Sequence, residues 1–198
     1  MARISLVEKK DLPKSYKVLE DKKDNLPDGV DAAFWNCQPT VRAFSNNPEL
    51  GRAHVTMNTL LWTETNLRDS EEECIILIVA NKLNCRLLWH EHVMLSLKND
   101  RLSMSDISNI GSYKIGELNS SIQIIAEYVL EFIDNNGDVS EKTHNLLSKK
   151  YEDSSIVSIV KLTGFYIGLS HEVNALRIDN DLFVGWKIEN YDEVKGNK

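Results

Sequence analysis

The hydrophobic pattern of the chain becomes helical at Asn47 and remains so to about Leu176. Asn47 can cap a helix that carries Pro48 at its first position. Steps of three and four residues then predict one buried face, formed by Leu50, His54, Met57, Leu60 and Leu61. Six more segments have helical spacing, beginning near Asp69 or Ser70, Cys85, Ser103, Leu118, Ser140, and Ser154 or Ser155. The pattern therefore predicts an all-α protein.

The segment that begins at Asp69 or Ser70 is predicted to be the central helix. Its residues from Ile75 to Ala80 are apolar on every side, which is typical of a helix buried all round. Three glutamates, residues 71–73, fill its first turn, where the helix dipole favours negative charge. By default we expect these glutamates to form a solvated cluster.

The last predicted helix contains a run that also resembles a strand. Residues 156–167 are rich in β-branched side chains, as buried strands are. Helical spacing continues beyond the run to Leu176, and its total length exceeds that of ordinary strands. We therefore favour a helix.

Three regions are expected along the chain. Residues 1–46 are predicted to form an irregular N-terminal arm, because they contain Pro13, Pro27, Gly29, Pro39 and runs of charge. Within the arm, Leu12 to Asp21 can form a short helix, and the apolar residues 32–35 are expected to dock on the body. Residues 47–178 form the predicted helical domain, and residues 179–198 a polar C-terminal tail.

Composition limits the expected binding partners and cellular location of the protein. A net charge of -7 over 198 residues disfavours broad contact with nucleic acid or anionic lipid. No apolar run reaches the length of a membrane span, and the N-terminus lacks the pattern of a signal peptide. The three cysteines, an odd number without zinc-site spacing, favour a reducing, cytoplasmic location. We expect no nucleic-acid partner and no membrane partner.

One stretch carries candidate chemistry. If Asn84 caps a helix, Cys85 lies in its first turn, where free backbone N–H groups and the helix dipole lower the pKa of a thiol. His92 follows two helical turns later, on the face that holds Cys85 and Trp89. An imidazole there can act as a base or as an ion-pair partner. Glu73, which begins the preceding antiparallel helix, can approach this face if the turn is tight.

Each of these residues also has a structural interpretation. A cysteine in an apolar helix is usually a small core residue, which applies to Cys85 and even more to Cys74, and Cys37 is structural or incidental. A histidine near a helix end is usually a surface residue or one already hydrogen-bonded. His90 and His92 are two residues apart and point to different faces, which weakens a metal site made from both. Metal binding by His92 with Glu73 remains a minor alternative.

The stretch from Glu73 to His92 resembles the signature of the carboxymuconolactone decarboxylase and alkylhydroperoxidase D-like superfamily. A glutamate precedes a cysteine by twelve residues, a histidine follows the cysteine by seven, and Trp89 matches the Cys-x-x-x-Trp-x-x-His form of the decarboxylase-like branch. Further resemblance lies in residues 2–4, 11–13, 47–50, 162–166 and 174–176. The resemblance implies an all-α, alkylhydroperoxidase D-like helical bundle.

The decarboxylase-like branch implies a cofactor-free enzyme that acts on a small organic molecule. Its chemistry is the decarboxylation of a lactone acid through an enolate-like intermediate, with proton transfer at the positions of His92 and Glu73. Cys85 would then line the site, and Leu88 and Trp89 would line the substrate pocket. The family commonly assembles as homotrimers or hexamers. Arg86, Leu88, His90 and Glu91 depart from the pattern of this branch, so the substrate need not be carboxymuconolactone.

Two alternatives stay open. In the alkylhydroperoxidase D-like branch a Cys-x-x-Cys pair forms a redox disulfide, but Leu88 occupies the second position here. A peroxidase of this kind would have to use Cys85 alone, as a single-cysteine, peroxiredoxin-type enzyme that forms a sulfenic acid and relies on an external thiol. The other alternative is a relative that has lost catalysis and serves as a binding or scaffold subunit.

Overall fold

The computed structural model describes residues 2–12 and 39–178. Within these residues there are eight α-helices, two short 3-10 helices and no strand. The α-helices are α1 (Pro39–Phe44), α2 (Pro48–Thr63), α3 (Asp69–Lys82), α4 (Arg86–Lys98), α5 (Met104–Gly111), α6 (Ser120–Asp134), α7 (Glu141–Ser148) and α8 (Asp153–Leu176), and the 3-10 helices are Lys9–Asp11 and Ile115–Glu117. The all-α prediction is confirmed, including the helix over the β-branched run. No helix in the described ranges is long and apolar enough to cross a membrane.

The described residues form two compact units. One contains residues 2–12, 39–65 and 173–178, and the other contains residues 66–172. The predicted division at residues 46 and 178 stays a prediction. Nearly all of the predicted helix at 12–21, the apolar segment 32–35, Cys37 and the tail from residue 179 lie outside the described residues.

In the first unit, the N-terminal segment is held by main-chain contacts. The Arg3 N–H donates to the Leu176 carbonyl at 2.8 Å, and the Val7 N–H donates to the Arg42 carbonyl at 3.1 Å. The sequence did not indicate α1 inside the expected irregular arm. Pro39 begins this helix, a position that costs no hydrogen bond because the first N–H groups of a helix have no partner within it.

Helix α2 has the predicted cap, but three of the five residues predicted for its buried face are exposed. Asn47 Oδ1 accepts from the Leu50 N–H at 3.3 Å. However, Leu50, Met57 and Leu60 are 66%, 43% and 40% exposed. The buried residues are Gly51, Val55, Asn58, Thr59, Leu61 and Trp62. The helix has apolar residues on two faces, and the buried face tolerates Thr59 because its hydroxyl donates to the Val55 carbonyl at 2.9 Å.

In the second unit, α3 is the central helix, as predicted. Every residue from position 71 to position 80 is buried, and α3 packs against α4, α5 and α6. The expected solvated cluster of glutamates is therefore wrong. Buried carboxylates need partners, and Glu71 accepts from the Tyr151 hydroxyl at 2.7 Å and from the Arg68 guanidinium. Glu73 is buried completely.

The turn between α3 and α4 sets the position of Cys85. Asn84 has a φ of 54°, in the left-handed region. The Cys85 N–H donates to the Ala80 carbonyl at 2.8 Å, and the Asn84 N–H donates to the Asn81 carbonyl at 3.2 Å. These two bonds form a Schellman motif, which ends a helix on a left-handed residue. Asn84 therefore ends α3, whereas the sequence interpretation had made it the cap of α4.

Helix α4 also ends on a left-handed residue. Asp100 has a φ of 52°, and the Arg101 N–H donates to the Ser96 carbonyl at 2.9 Å. Arg101 thus stands in the same place after α4 that Cys85 occupies after α3. Main-chain geometry at the two ends of α4 therefore sets the positions of Cys85 and Arg101.

Candidate active site

A buried hydrogen bond joins Glu73 to His92. His92 Nδ1 lies 2.9 Å from Glu73 Oε2, and both side chains are almost entirely removed from solvent. Glu73 reaches His92 because the short turn after α3 lays α4 beside it. A carboxylate only accepts hydrogen bonds, so Nδ1 carries the proton and the basic lone pair of a neutral imidazole lies on Nε2. The structure therefore brings together two of the residues that the sequence spacing singled out.

Arg101 completes this cluster, although the sequence pattern did not indicate it. Its Nη1 lies 3.2 Å from Glu73 Oε1, and its Nη2 lies 3.4 Å from Asp69 Oδ2. The Arg101 side chain is 1% exposed. One oxygen of Glu73 thus faces His92 while the other faces Arg101, which fixes the orientation of the carboxylate.

Cys85 lies at the cap position of α4, one residue before the predicted place. The expected lowering of its pKa is wrong, since burial raises the pKa of the thiol to about 11. The N–H groups of Leu88 and Leu87 and the nearby Ser170 hydroxyl act in the opposite direction. Removal from water outweighs them, as it does for thiols in apolar surroundings.

We expect iodoacetamide to modify Cys85 in the folded protein at pH 8 about 100-fold more slowly than in the protein unfolded in urea. A rise of about two pKa units above the ordinary value lowers the thiolate fraction by this factor. Mass spectrometry of peptides separates Cys85 from Cys37 and Cys74. Equal rates in folded and unfolded protein would show that the thiol is not protected.

The last helix supplies residues that the spacing around Cys85 did not reveal. The Tyr166 ring lies edge-on to the His92 ring, with centroids 5.3 Å apart, and Ser170 lies beside Cys85. Leu88 and Trp89, predicted to line a pocket, are buried in α4. A serine and a tyrosine in an amphipathic helix give no signal before the helices are packed together.

Glu91 is a further ionisable group near Cys85, and once it is ionised at alkaline pH its charge helps to raise the pKa of that thiol. Part of the residue is exposed, but protein surrounds its carboxyl group. Burial raises the pKa of this carboxyl to about 8. Glu91 therefore keeps its proton at neutral pH in the folded protein.

We expect Glu91→Gln to stabilise the protein by at least about 1 kcal/mol more at pH 8.5 than at pH 5. The unfolded chain loses this proton near pH 4.5 and the folded protein near pH 8. Stability of the unchanged protein therefore falls as pH rises through that window, whereas glutamine has no proton to lose. Urea unfolding at both pH values measures the difference, and an equal effect at each would contradict it.

Several other candidates stay apart from the cluster. Cys74 is a core residue, with its sulfur 3.9 Å from the Ile122 carbonyl oxygen. His54 belongs to the first unit, where burial lowers its pKa to about 4. In the part of the chain that the structure describes, no three His, Cys, Asp or Glu residues form a group able to hold a metal ion.

Solved structures share this arrangement of helices. The chain is similar to the alkylhydroperoxidase AhpD core structure of an uncharacterized peroxidase-related protein from Ralstonia eutropha JMP134, with a TM-score of 0.72, 14% identity, and coverage of 91% of this chain and 93% of that one. The fold is AhpD-like. An uncharacterized peroxidase-related protein from Silicibacter sp. TM1040 is also similar, with a TM-score of 0.67, 18% identity, and coverage of 89% and 90%.

The AhpD-like fold predicted from the sequence is thus confirmed over most of the chain. A scan against protein-family models and a search of curated proteins gave no match. At identities of 14% and 18%, this likeness shows the AhpD-like fold and not the chemistry of the site.

Proposed function

We propose that this protein is a cofactor-free enzyme that moves a proton on a small carbonyl compound, in decarboxylase-like, isomerase-like or lactone chemistry. His92 is the general base and acid, and Glu73 is its partner. The observation that carries the proposal is the buried hydrogen bond of 2.9 Å between His92 Nδ1 and Glu73 Oε2.

The pairing of a histidine with a buried carboxylate suits this chemistry. Glu73 holds the imidazole in one tautomer and stabilises the cation that forms when Nε2 takes a proton. Arg101 anchors the second oxygen of Glu73, so the carboxylate cannot rotate away from the ring. Proton transfer by a group positioned in this way typically contributes about 10²–10⁴-fold to a rate.

A single-cysteine peroxidase that uses Cys85 is the second candidate, and its support is the fold shared with proteins described as peroxidase-related. The environment of Cys85 weighs against it. Peroxide reacts with the thiolate, and burial raises the pKa of this thiol to about 11. Acid–base chemistry at His92 is therefore the stronger proposal.

One experiment separates the two candidates. Cyclopentanone, levulinate and γ-valerolactone are incubated with protein in deuterated buffer, and exchange of the protons beside the carbonyl is followed by NMR. We expect exchange above the buffer rate with the unchanged protein and with Cys85→Ser, and hydrogen peroxide consumption no faster than that of an ordinary thiol. Rapid peroxide consumption that Cys85→Ser abolishes, without catalysed exchange, would instead support the peroxidase.

A further inference from the structure

Three buried polar atoms, two on α4 and one on α8, lack hydrogen-bond partners of their own. Trp89 Nε1 and the hydroxyls of Ser96 and Ser170 have no nitrogen or oxygen partner among the described residues, and Ser170 has only the Cys85 thiol beside it. Trp89 is 2% exposed, and the two serines are fully buried. A buried donor left unsatisfied costs about 1–3 kcal/mol, so their presence together indicates a bound molecule, either a ligand or a buried water.

These atoms belong to one surface, which we call the α4–α8 seam. It consists of Cys85, Trp89, His92 and Ser96 from α4, and Tyr166 and Ser170 from α8. At about 100° per residue, the four α4 positions fall within about 60° of one another around the helix. Ser170 lies beside Cys85, and the Tyr166 ring contacts His92. Trp89, between Cys85 and His92 along α4, therefore lies in the part of the seam that α8 covers.

We propose that the Trp89 indole N–H and the Ser170 hydroxyl bind the carbonyl oxygen of a neutral ketone or lactone in this seam. The proposal rests on the acid–base function of His92 and names the group that its substrate presents. Both residues are catalytic residues in this assignment, because they hold the oxygen on which charge develops.

The step balances within the substrate and His92. Nε2 takes the proton from the carbon beside the carbonyl, the electron pair of that C–H bond forms the carbon–carbon double bond, and the carbonyl π pair moves onto oxygen. Donors that point at this oxygen stabilise the enolate more than the ketone, which lowers the barrier. Return of the proton from His92 to a carbon regenerates a carbonyl compound.

The charges around the seam favour a neutral carbonyl over a carboxylate. Both donors are uncharged, and the guanidinium of Arg101 is already engaged by Glu73 and Asp69. Glu73, which contacts His92, would repel an anion held nearby. A carboxylate in the seam would thus lose its water without gaining a counter-charge.

The test observes the Trp89 N–H directly. The chain has four tryptophans, so the indole region of a ¹⁵N–¹H spectrum is simple, and Trp89→Phe assigns the resonance. Cyclopentanone, its hydrocarbon isostere methylenecyclopentane and cyclopentanecarboxylate are titrated into the full-length protein. We expect a saturable downfield shift with cyclopentanone, none with the hydrocarbon, and weaker binding of the carboxylate.

Ser170→Ala should weaken cyclopentanone binding about 2–10-fold, the value of one hydrogen bond. The matched control is Thr163→Val, also buried in α8, because the Thr163 hydroxyl is already satisfied by the Ile159 carbonyl at 2.7 Å. The control should bind as the unchanged protein does. If Ser170→Ala does not fold, the Trp89 titration of the unchanged protein still tests the proposal.

The proposal is overturned if the Trp89 resonance does not move, if the hydrocarbon moves it equally, or if Ser170 variants bind cyclopentanone unchanged. An indole N–H that contacts only slowly exchanging water, with no response to cyclopentanone, would show that a buried water satisfies the donors. Binding of cyclopentanone without any proton exchange would refute the function of His92 but support carbonyl binding in the α4–α8 seam. Proton exchange without a shift of the Trp89 resonance would support the function of His92 and refute carbonyl binding in the seam.

Discussion

His92→Gln should lower the rate of proton exchange on an accepted substrate by about 10²–10⁴-fold. Glutamine keeps the size and polarity of the site but cannot take a proton at neutral pH. The loss should fall on kcat more than on KM, because the imidazole acts on the reacting carbon rather than on substrate binding. NMR-detected deuterium exchange provides the measurement.

The matched control is His90→Gln. His90 is also a buried histidine of α4, but it lies two residues away and on another face. Its replacement should leave the exchange rate within a few-fold of that of the unchanged protein. Glu73→Gln should also slow exchange, and the double variant with His92→Gln should be no slower than His92→Gln alone, since the two residues act as a unit. Equal losses in the His90 and His92 variants would point to general damage of the fold.

Arg101→Met should lower the free energy of unfolding by about 3–5 kcal/mol. Methionine preserves much of the side-chain volume but removes the cation that faces Glu73 Oε1 at 3.2 Å. A carboxylate that has lost its counter-charge inside the protein is strongly destabilising, whereas an intact buried pair contributes little net stability. Equilibrium unfolding in urea measures the loss.

Two comparison variants isolate this effect. Arg52→Met removes the partner of Glu49 from an exposed pair on α2 and should cost no more than about 1 kcal/mol. Arg101→Met combined with Glu73→Gln should recover part of the loss, because no buried charge is then left without a partner. A loss for Arg101→Met as small as that for Arg52→Met would mean that water or His92 compensates Glu73 fully.

The features of this fold that depend on neighbouring residues, such as helix starts and caps, could be predicted from the sequence. Helices α2, α5 and α7 begin where the pattern placed their starts, and side chains of Asn47, Ser103 and Ser140 cap them. The approach of Glu73 to His92 also followed from spacing, because a short turn between antiparallel helices leaves few places for the two side chains. Helix starts and the facing of side chains depend on hydrogen bonds and periodicity within a few adjacent residues, which the sequence shows directly.

Features that depend on packing were not predictable in the same way. Asn84 can cap a helix or end one in the left-handed region, and only the bonds to α3 decide between these roles. The pKa of Cys85 depends on the balance between helix N–H groups and burial, and the sequence shows only the former. Arg101 follows a turn that pattern alone assigns to the surface, and the apolar residues of α2 lie on two faces of which one is exposed.

The Schellman turns at the two ends of α4 have a consequence for sequence divergence. The atoms that place Cys85 and Arg101 are main-chain atoms, the Ala80 and Ser96 carbonyls and the N–H groups that they bind. Side chains in either turn can change without moving the site, provided that residues 84 and 100 still adopt the left-handed conformation. Asparagine, aspartate and glycine adopt it at the lowest cost. A site geometry of this kind can outlast most of the sequence that surrounds it.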